Sequence, residues 1–424
     1  MTLNQLIETS YQMFLEHTKK ARIILLHPQS RYRSILIARL INEPRIKTFY
    51  YAMGPDDVNV ASFLAGLTHD IADQYPLFGR HLNQMRYETI EDHATLIATL
   101  VKDLAELSAE PYILILDEYD RADIADDVQA FIEKLVPALP DQCRIVINSR
   151  TLPRLPWVSL IAQKQATVLQ DDRLISSDFY GVEREGKPRL DVYALGPGYV
   201  LLDGKQVSTW EGHLPRLLFF FALDRPIVTR AEICQAFWPE LDTDQAVNVF
   251  HVTKRRLHKA LGFDVLVHDG GYYRVNPTVS IHYDIMDFVG ALVEGRSKEG
   301  DAAVSAWQRA IELYRGPFLQ GHADAWIASR REDFRAGYLE ALTEMARARK
   351  AEGRAEHALG LYLRAINEAP RREDLHRFVI QLYAELGRRS EAAAHFQRLE
   401  EDLKTNYGAE PEAATRALYN QIMS

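Results

Sequence analysis

The sequence predicts a multidomain chain of class α/β plus α. A parallel α/β domain comes first, a small domain of strands around a basic helix second, and an all-α helical repeat last. Three observations carry this. Short apolar runs at residues 22–26, 112–116 and 144–147 alternate with helical patterns, as a parallel sheet requires. Residues 225–275 read as helix, tight connection, basic helix and Gly-Gly hairpin. From residue 284 onward the pattern is helical and recurs at an offset of 34 residues.

In the first part, the strand at residues 22–26 is followed by a helix at 36–41, with HPQSRYRS (27–34) between them. A phosphate-binding loop here has the form GxxxxGK[ST], because glycines let backbone N–H groups curl around phosphates. This chain has His27 and Tyr32 at the glycine positions and Arg33 in place of Lys; Ser34 alone matches. The buried strand at 112–118 ends in Asp117 and Glu118, the residue types that hold a magnesium shell and orient a water in nucleotide hydrolases. The strand at 144–150 ends in Asn148, Ser149 and Arg150, and TLPRLPWVSL (151–160) follows. On these residues, 1–170 resembles the P-loop domain of MalT-like STAND ATPases with a degenerate phosphate loop. The resemblance implies a vestigial nucleotide site of Arg33, Ser34, Asp117 and Glu118. No cofactor is expected, ATP included. In a vestigial site the two acids would bond Arg33 or Arg150. A polar stretch at 171–189 reads as a linker.

The middle part spans residues 190–277. Strands broken by Gly196-Pro197-Gly198 and Asp203-Gly204 lead into an apolar helix at 215–223. Thr229 with Glu232 three residues on forms a capping box for the next helix, and Trp238-Pro239 ends it. Asp242 or Thr243 caps a longer helix at 244–261, and Gly262 stops it. At about 100° per residue, Ala246, Val249, Phe250, Thr253, Leu257, Ala260 and Leu261 share one face of that helix. Asn248, His251, Lys254, Arg255, His258 and Lys259 share the other, with Asp244 as its only acid, at the N-terminus. A solvated face would mix signs at i,i+4. This one offers cations to phosphates and Asn and His to base edges. Two short strands then flank Asp269-Gly270-Gly271, a hairpin signal, and place Tyr272, Tyr273 and Arg274 as wing contacts to DNA. The segment resembles the OmpR-type winged helix of SARP regulators, which implies that the helix before the wing is the recognition helix. That family commonly has Arg-Leu-Arg where this chain has Lys254-Arg255-Arg256-Leu257.

In the last part, residues 278–424, the run Gly353-Arg354-Ala355-Glu356-His357-Ala358 returns as Gly387-Arg388-Arg389-Ser390-Glu391-Ala392, and Tyr362 returns as Phe396. That period belongs to tetratricopeptide-like helix pairs. Leu313 to Leu319 (LYRGPFL), Ala325-Trp326, Arg330-Arg331, the run LYAELGR at 382–388 and Tyr407-Gly408-Ala409-Glu410-Pro411 resemble the bacterial transcriptional activation domain of SARP regulators. The resemblance implies dimerisation, interdomain regulation or contact with the transcription machinery.

The chain has 424 residues, 47% hydrophobic, with a net charge of −9. The negative sum does not exclude nucleic acid, because the basic cluster is confined to one helix face. Cys143 and Cys234 show neither CxxC nor metal-ligand spacing, and read as free thiols of a reducing, cytoplasmic setting. No apolar run reaches membrane-spanning length, and the N-terminus lacks a leader's apolar core. No catalytic constellation stands out, so no enzyme is expected. The leading reading is a DNA-binding transcription regulator, with activator as its expected sense. Its implied partners are double-stranded DNA, RNA polymerase and a second copy of the chain, with no membrane. The alternatives are an ATP-gated switch and an interaction scaffold that does not bind DNA.

Overall fold

The computed structural model describes residues 3–19, 21–54, 57–85, 92–122, 125–171, 173–175 and 188–424. Alternation of strands and helices builds the first part: α1 (Leu3–His17), β1 (Ile23–Leu26), α2 (Arg33–Ile41), β2 (Lys47–Ala52), α3 (Val60–Gln74), α4 (Arg80–Met85), α5 (His93–Leu107), β3 (Tyr112–Asp117), α6 (Asp126–Leu135), β4 (Cys143–Asn148), α7 (Trp157–Ala162), β5 (Ala166–Gln170) and β6 (Arg173–Leu174). The sheet order is β2-β3-β4-β1-β5-β6. The first five strands run parallel, and β6 folds back antiparallel on β5. β4 therefore lies between β1 and β3, with Ile145 opposite both Ile23 and Leu114. Period-2 alternation sends Ile24, Leu26, Ile113, Ile115 and Val146 to one face, against Tyr11 and Phe14 of α1 and Leu36, Ile37 and Leu40 of α2. β6 occupies the start of the expected linker; residues 172 and 176–187 of that linker lie outside the described residues.

Next come β7 (Arg189–Tyr193), β8 (Tyr199–Leu202), β9 (Lys205–Gln206), α8 (Leu214–Asp224), β10 (Ile227–Val228), α9 (Arg230–Phe237), α10 (Thr243–Leu261), β11 (Leu266–Asp269), β12 (Tyr272–Val275) and β13 (Ser280–Tyr283). They make a four-stranded sheet, β13-β7-β8-β9, and a three-stranded sheet, β10-β12-β11. This is a winged helix, with α9 and α10 as the helix pair and β11–β12 as the wing. β13, placed by sequence with the C-terminal part, instead pairs parallel with β7, and its end residues Ser280 and Tyr283 are buried.

The rest is helical: α11 (Asp284–Ser297), α12 (Gly300–Leu313), α13 (Ala325–Ala351), α14 (Ala355–Glu368), α15 (Glu373–Glu385), α16 (Arg389–Tyr407) and α17 (Ala413–Met423). The 34-residue period has a local cause. After α13, Gly353 at φ 78° lets the Arg354 N–H return to the Arg349 carbonyl, at 2.9 Å. After α15, Gly387 at φ 75° lets the Arg388 N–H return to the Tyr383 carbonyl, at 2.7 Å. Both are left-handed helix stops that glycine adopts without strain. Ala358 and Ala392 are fully buried at the equivalent points of the two following helices.

The chain divides into two compact units. The first contains the α/β sheet together with the winged helix. The second is centred on α11–α17. Among the described residues, no helix is long and apolar enough to cross a membrane.

Candidate nucleic-acid interface

Local chemistry fixes the helix pair before any tertiary contact does. Thr229 and Glu232 close the expected capping box, with the Glu232 N–H donating to Thr229 Oγ1 at 3.2 Å and the Thr229 N–H to Glu232 Oε2 at 2.7 Å. Asp242 caps α10 by accepting from the Gln245 N–H at 2.9 Å, and Gly262 ends it at φ 83°. Ala246, Phe250, Thr253, Leu257 and Leu261 turn inward and are buried.

The opposite face of α10 is open. Asn248, His251, Arg255, His258 and Lys259 are exposed. Two neighbours join them that the sequence reading left out: Arg256, and Val252 at 43% exposed. Helical arithmetic alone would have found Val252, since it lies between Lys259 and Arg256 on the wheel. Its apolar side chain hid it. Lys254 sits at the margin instead, half-buried, with its ammonium 5.8 Å from the ring centre of Tyr273.

Several of these cations already have acid partners. Glu211 pairs with Lys259 and, at 3.5 Å, with Arg256. Lys259 holds the Glu211 carboxyl below its ordinary range. His258 Nδ1 lies 3.1 Å from Asp264. Among the described residues Arg255 makes no hydrogen bond or ion pair, and its guanidinium stands free on the surface.

The wing departs from expectation at Tyr273. This residue is 6% exposed and packs edge-on against Phe250 at 5.0 Å, and burial pushes its phenol up. On a β-ribbon successive side chains alternate faces, so Tyr272, Tyr273 and Arg274 cannot all point outward. Arg274 is the exposed one and pairs with Asp269 across the turn at 2.6 Å. Tyr272 is half-buried beneath the Arg154 guanidinium, 5.5 Å from its ring centre.

The degenerate phosphate loop is occupied by its own side chain. Arg33 donates to the carbonyls of Pro28 at 2.6 Å and Ser149 at 2.7 Å. Burial lowers its guanidinium from the ordinary value. The loop thus presents carbonyl oxygens to a cation, where phosphate binding needs N–H groups. Ser34 is exposed in the first turn of α2. Asp117 bonds neither Arg33 nor Arg150, contrary to expectation. It accepts from the Tyr50 hydroxyl at 2.7 Å and from Asn148 Nδ2 at 2.6 Å, because β4 is the strand next to β3. Glu118 pairs with Arg121 at 2.6 Å, and Arg150 with Asp120 at 2.8 Å.

Comparison with known proteins identifies the C-terminal part. Residues 284–423 match the family model of the bacterial transcriptional activator domain. The match begins at the first residue of α11 and ends at the last of α17, so the activator domain coincides with the helical array. No curated protein sequence matches the chain. Among solved structures, EmbR of Mycobacterium tuberculosis, in complex with a low-affinity phosphopeptide, is 25% identical with a TM-score of 0.46. That likeness covers 56% of this chain and 65% of EmbR. A signal transduction ATPase with numerous domains and a tetratricopeptide repeat sensor, from Pyrococcus horikoshii, is 12% identical with a TM-score of 0.28, over 97% of this chain and 66% of that one. The chain thus spans just under two thirds of the length of either protein.

Proposed function

We propose that this protein is a sequence-specific DNA-binding transcription activator that inserts α10 into the major groove and lays the β11–β12 wing along the backbone. The observation that carries it is the exposed face of α10. Arg255, Arg256 and Lys259 supply charge for phosphates or guanine, Asn248 an amide for adenine, and Val252 an apolar surface for a thymine methyl. Tyr273 is left out because it belongs to the core. The activator domain would make the contact with RNA polymerase or with a second copy of the chain, in the cytoplasm where the DNA lies. Nucleotide has no part in this reading and no catalysis is assigned, because Arg33 fills the loop with a cation bound to carbonyls.

The test is a gel shift of the full chain with its own promoter DNA against random competitor at two salt concentrations. A specific band that survives competitor and higher salt supports the proposal. Loss of both DNAs in parallel would leave only a backbone-reading patch. Arg255→Ala with Arg256→Ala should weaken binding by about tenfold or more while circular dichroism stays unchanged.

A further inference from the structure

Arg154 is one of the largest fully buried side chains in the molecule, and it lies where the α/β domain meets the winged helix. Its Nη1 is 2.7 Å from Asp126 at the start of α6 and 2.8 Å from Glu232 in the first turn of α9. The Thr229 hydroxyl lies 3.2 Å from Asp126 and 3.0 Å from Glu232, and its single proton serves one of them at a time. The same guanidinium covers the ring of Tyr272 on the wing. A second clasp joins Arg225, just past α8, to Glu133 of α6 at 2.8 Å.

One guanidinium therefore holds two carboxylates from different domains together. The seam sets α6, whose first turn is Asp126-Asp127, against the N-terminus of α9. In winged-helix docking the first helix of the pair crosses the DNA backbone, and a helix N-terminus favours an anion. Asp126 already supplies an anion there, and like charge repels the incoming phosphates. The wing's Tyr272 is engaged as well, while the open face of α10 is untouched.

We propose that the α/β domain is a restraint on DNA binding, closed by a latch whose bolt is Arg154, and that opening the latch raises affinity. The proposal rests on the DNA-binding reading of α10. Removing the bolt leaves Asp126 and Glu232 facing each other as like charges, so the seam should part. Neutralising both acids as well should let it close again, since a neutral seam carries no unpaired charge. Gln at 232 still completes the capping box.

The experiment compares the full-length wild type, Arg154→Met, and Arg154→Met with Asp126→Asn and Glu232→Gln. The two readouts are hydrogen exchange in α9 and β12 and affinity for promoter DNA. Expected for Arg154→Met is faster exchange at the seam and DNA binding tighter by about tenfold; the triple variant should return toward wild type in both. Unchanged exchange in Arg154→Met overturns the latch. Faster exchange with equal or weaker DNA binding overturns the restraint and makes the contact a scaffold. Absence of DNA binding in every form refutes the DNA reading itself, and exchange then judges the latch alone. Should Arg154→Met fail to fold, Arg225→Glu opens the outer clasp and adding Glu133→Arg recloses it. Exchange and affinity then decide in the same way.

Discussion

Glu211 engages two of the α10 cations that the proposed DNA contact would use. Its carboxylate faces Lys259 and Arg256 at the protein surface, where an ion pair adds little to stability because water and salt screen it. Glu211→Gln should therefore leave the melting temperature unchanged and tighten DNA binding, with a steeper dependence on salt. Equal slopes in a salt titration of wild type and variant would place these cations away from the phosphates. Val252 makes a different claim, about sequence. An apolar side chain in the middle of a charged face lowers affinity for water and gains only against a methyl group. Replacing thymine by uracil at single positions of the bound site should reveal one position where wild type loses affinity and Val252→Ala does not. If every thymine is equally replaceable in wild type, Val252 does not read the groove.

At the scale of elements, the helix pair was legible because its signals are local: the Thr229–Glu232 box, the Asp242 cap and the left-handed Gly262 each act within one turn. The repeat was legible for the same reason, through Gly353 and Gly387. Tyr273 was not, since a run of polar-edged aromatics gives no sign of which alternates inward. Gly295 carried no signal either. A Cβ there would stand 2.6 Å from the Trp307 indole, so only glycine permits the approach of α11 to α12. Between α15 and α16 lies a device that the sequence also hides. His376 Nε2 donates to the Pro370 carbonyl at 2.9 Å, which leaves Nδ1 to accept from His395 Nε2 at 3.0 Å. Burial lowers both imidazoles, and His395 is pushed down to about 4, helped by His376 and Arg398. Unfolded, the rings titrate near 6.5, so the unfolded chain binds more protons below that value. The pair's stabilisation is complete above pH 6.5 and is lost as pH falls toward 4, at up to about 1.4 kcal/mol per pH unit for each ring. Denaturant unfolding of the activator domain should show this slope. His395→Gln keeps a donor toward His376 without titrating, and should flatten it; an unaltered slope would assign the acid sensitivity elsewhere.

Over the whole molecule, the order of the three parts and the class of each could be read from periodicity, but the seam between the first two could not. Arg154, Asp126 and Glu232 are far apart in sequence, and nothing local in any of them points to the others; Glu232 reads only as half of a capping box. Only the fold brings them together, and with them the acid edge of α6 to the start of α9. The same fold is the reason nucleotide is left out of the proposed function. A sheet with strand-end acids at β3 invites the expectation of an ATP switch, yet Asp117 is already bonded by Tyr50 and Asn148, and the loop after β1 is closed on Arg33. A nucleotide would have to displace that guanidinium from two carbonyls and would find His27 and Tyr32 where the cradle needs glycine. Magnesium ATP at a hundred times its dissociation constant would stabilise a binding-competent domain by about 2.7 kcal/mol, a shift of several degrees in melting temperature. Millimolar magnesium ATP should instead leave the melting temperature of the full chain unmoved, and should leave its DNA affinity unmoved as well. Arg33→Ala, which vacates the loop without restoring the glycines, should behave in the same way toward ATP. A shift in wild type that Arg33→Ala abolishes would make Arg33 a phosphate ligand and return control of the latch to nucleotide; no shift in either protein leaves that control to a partner that competes for the seam.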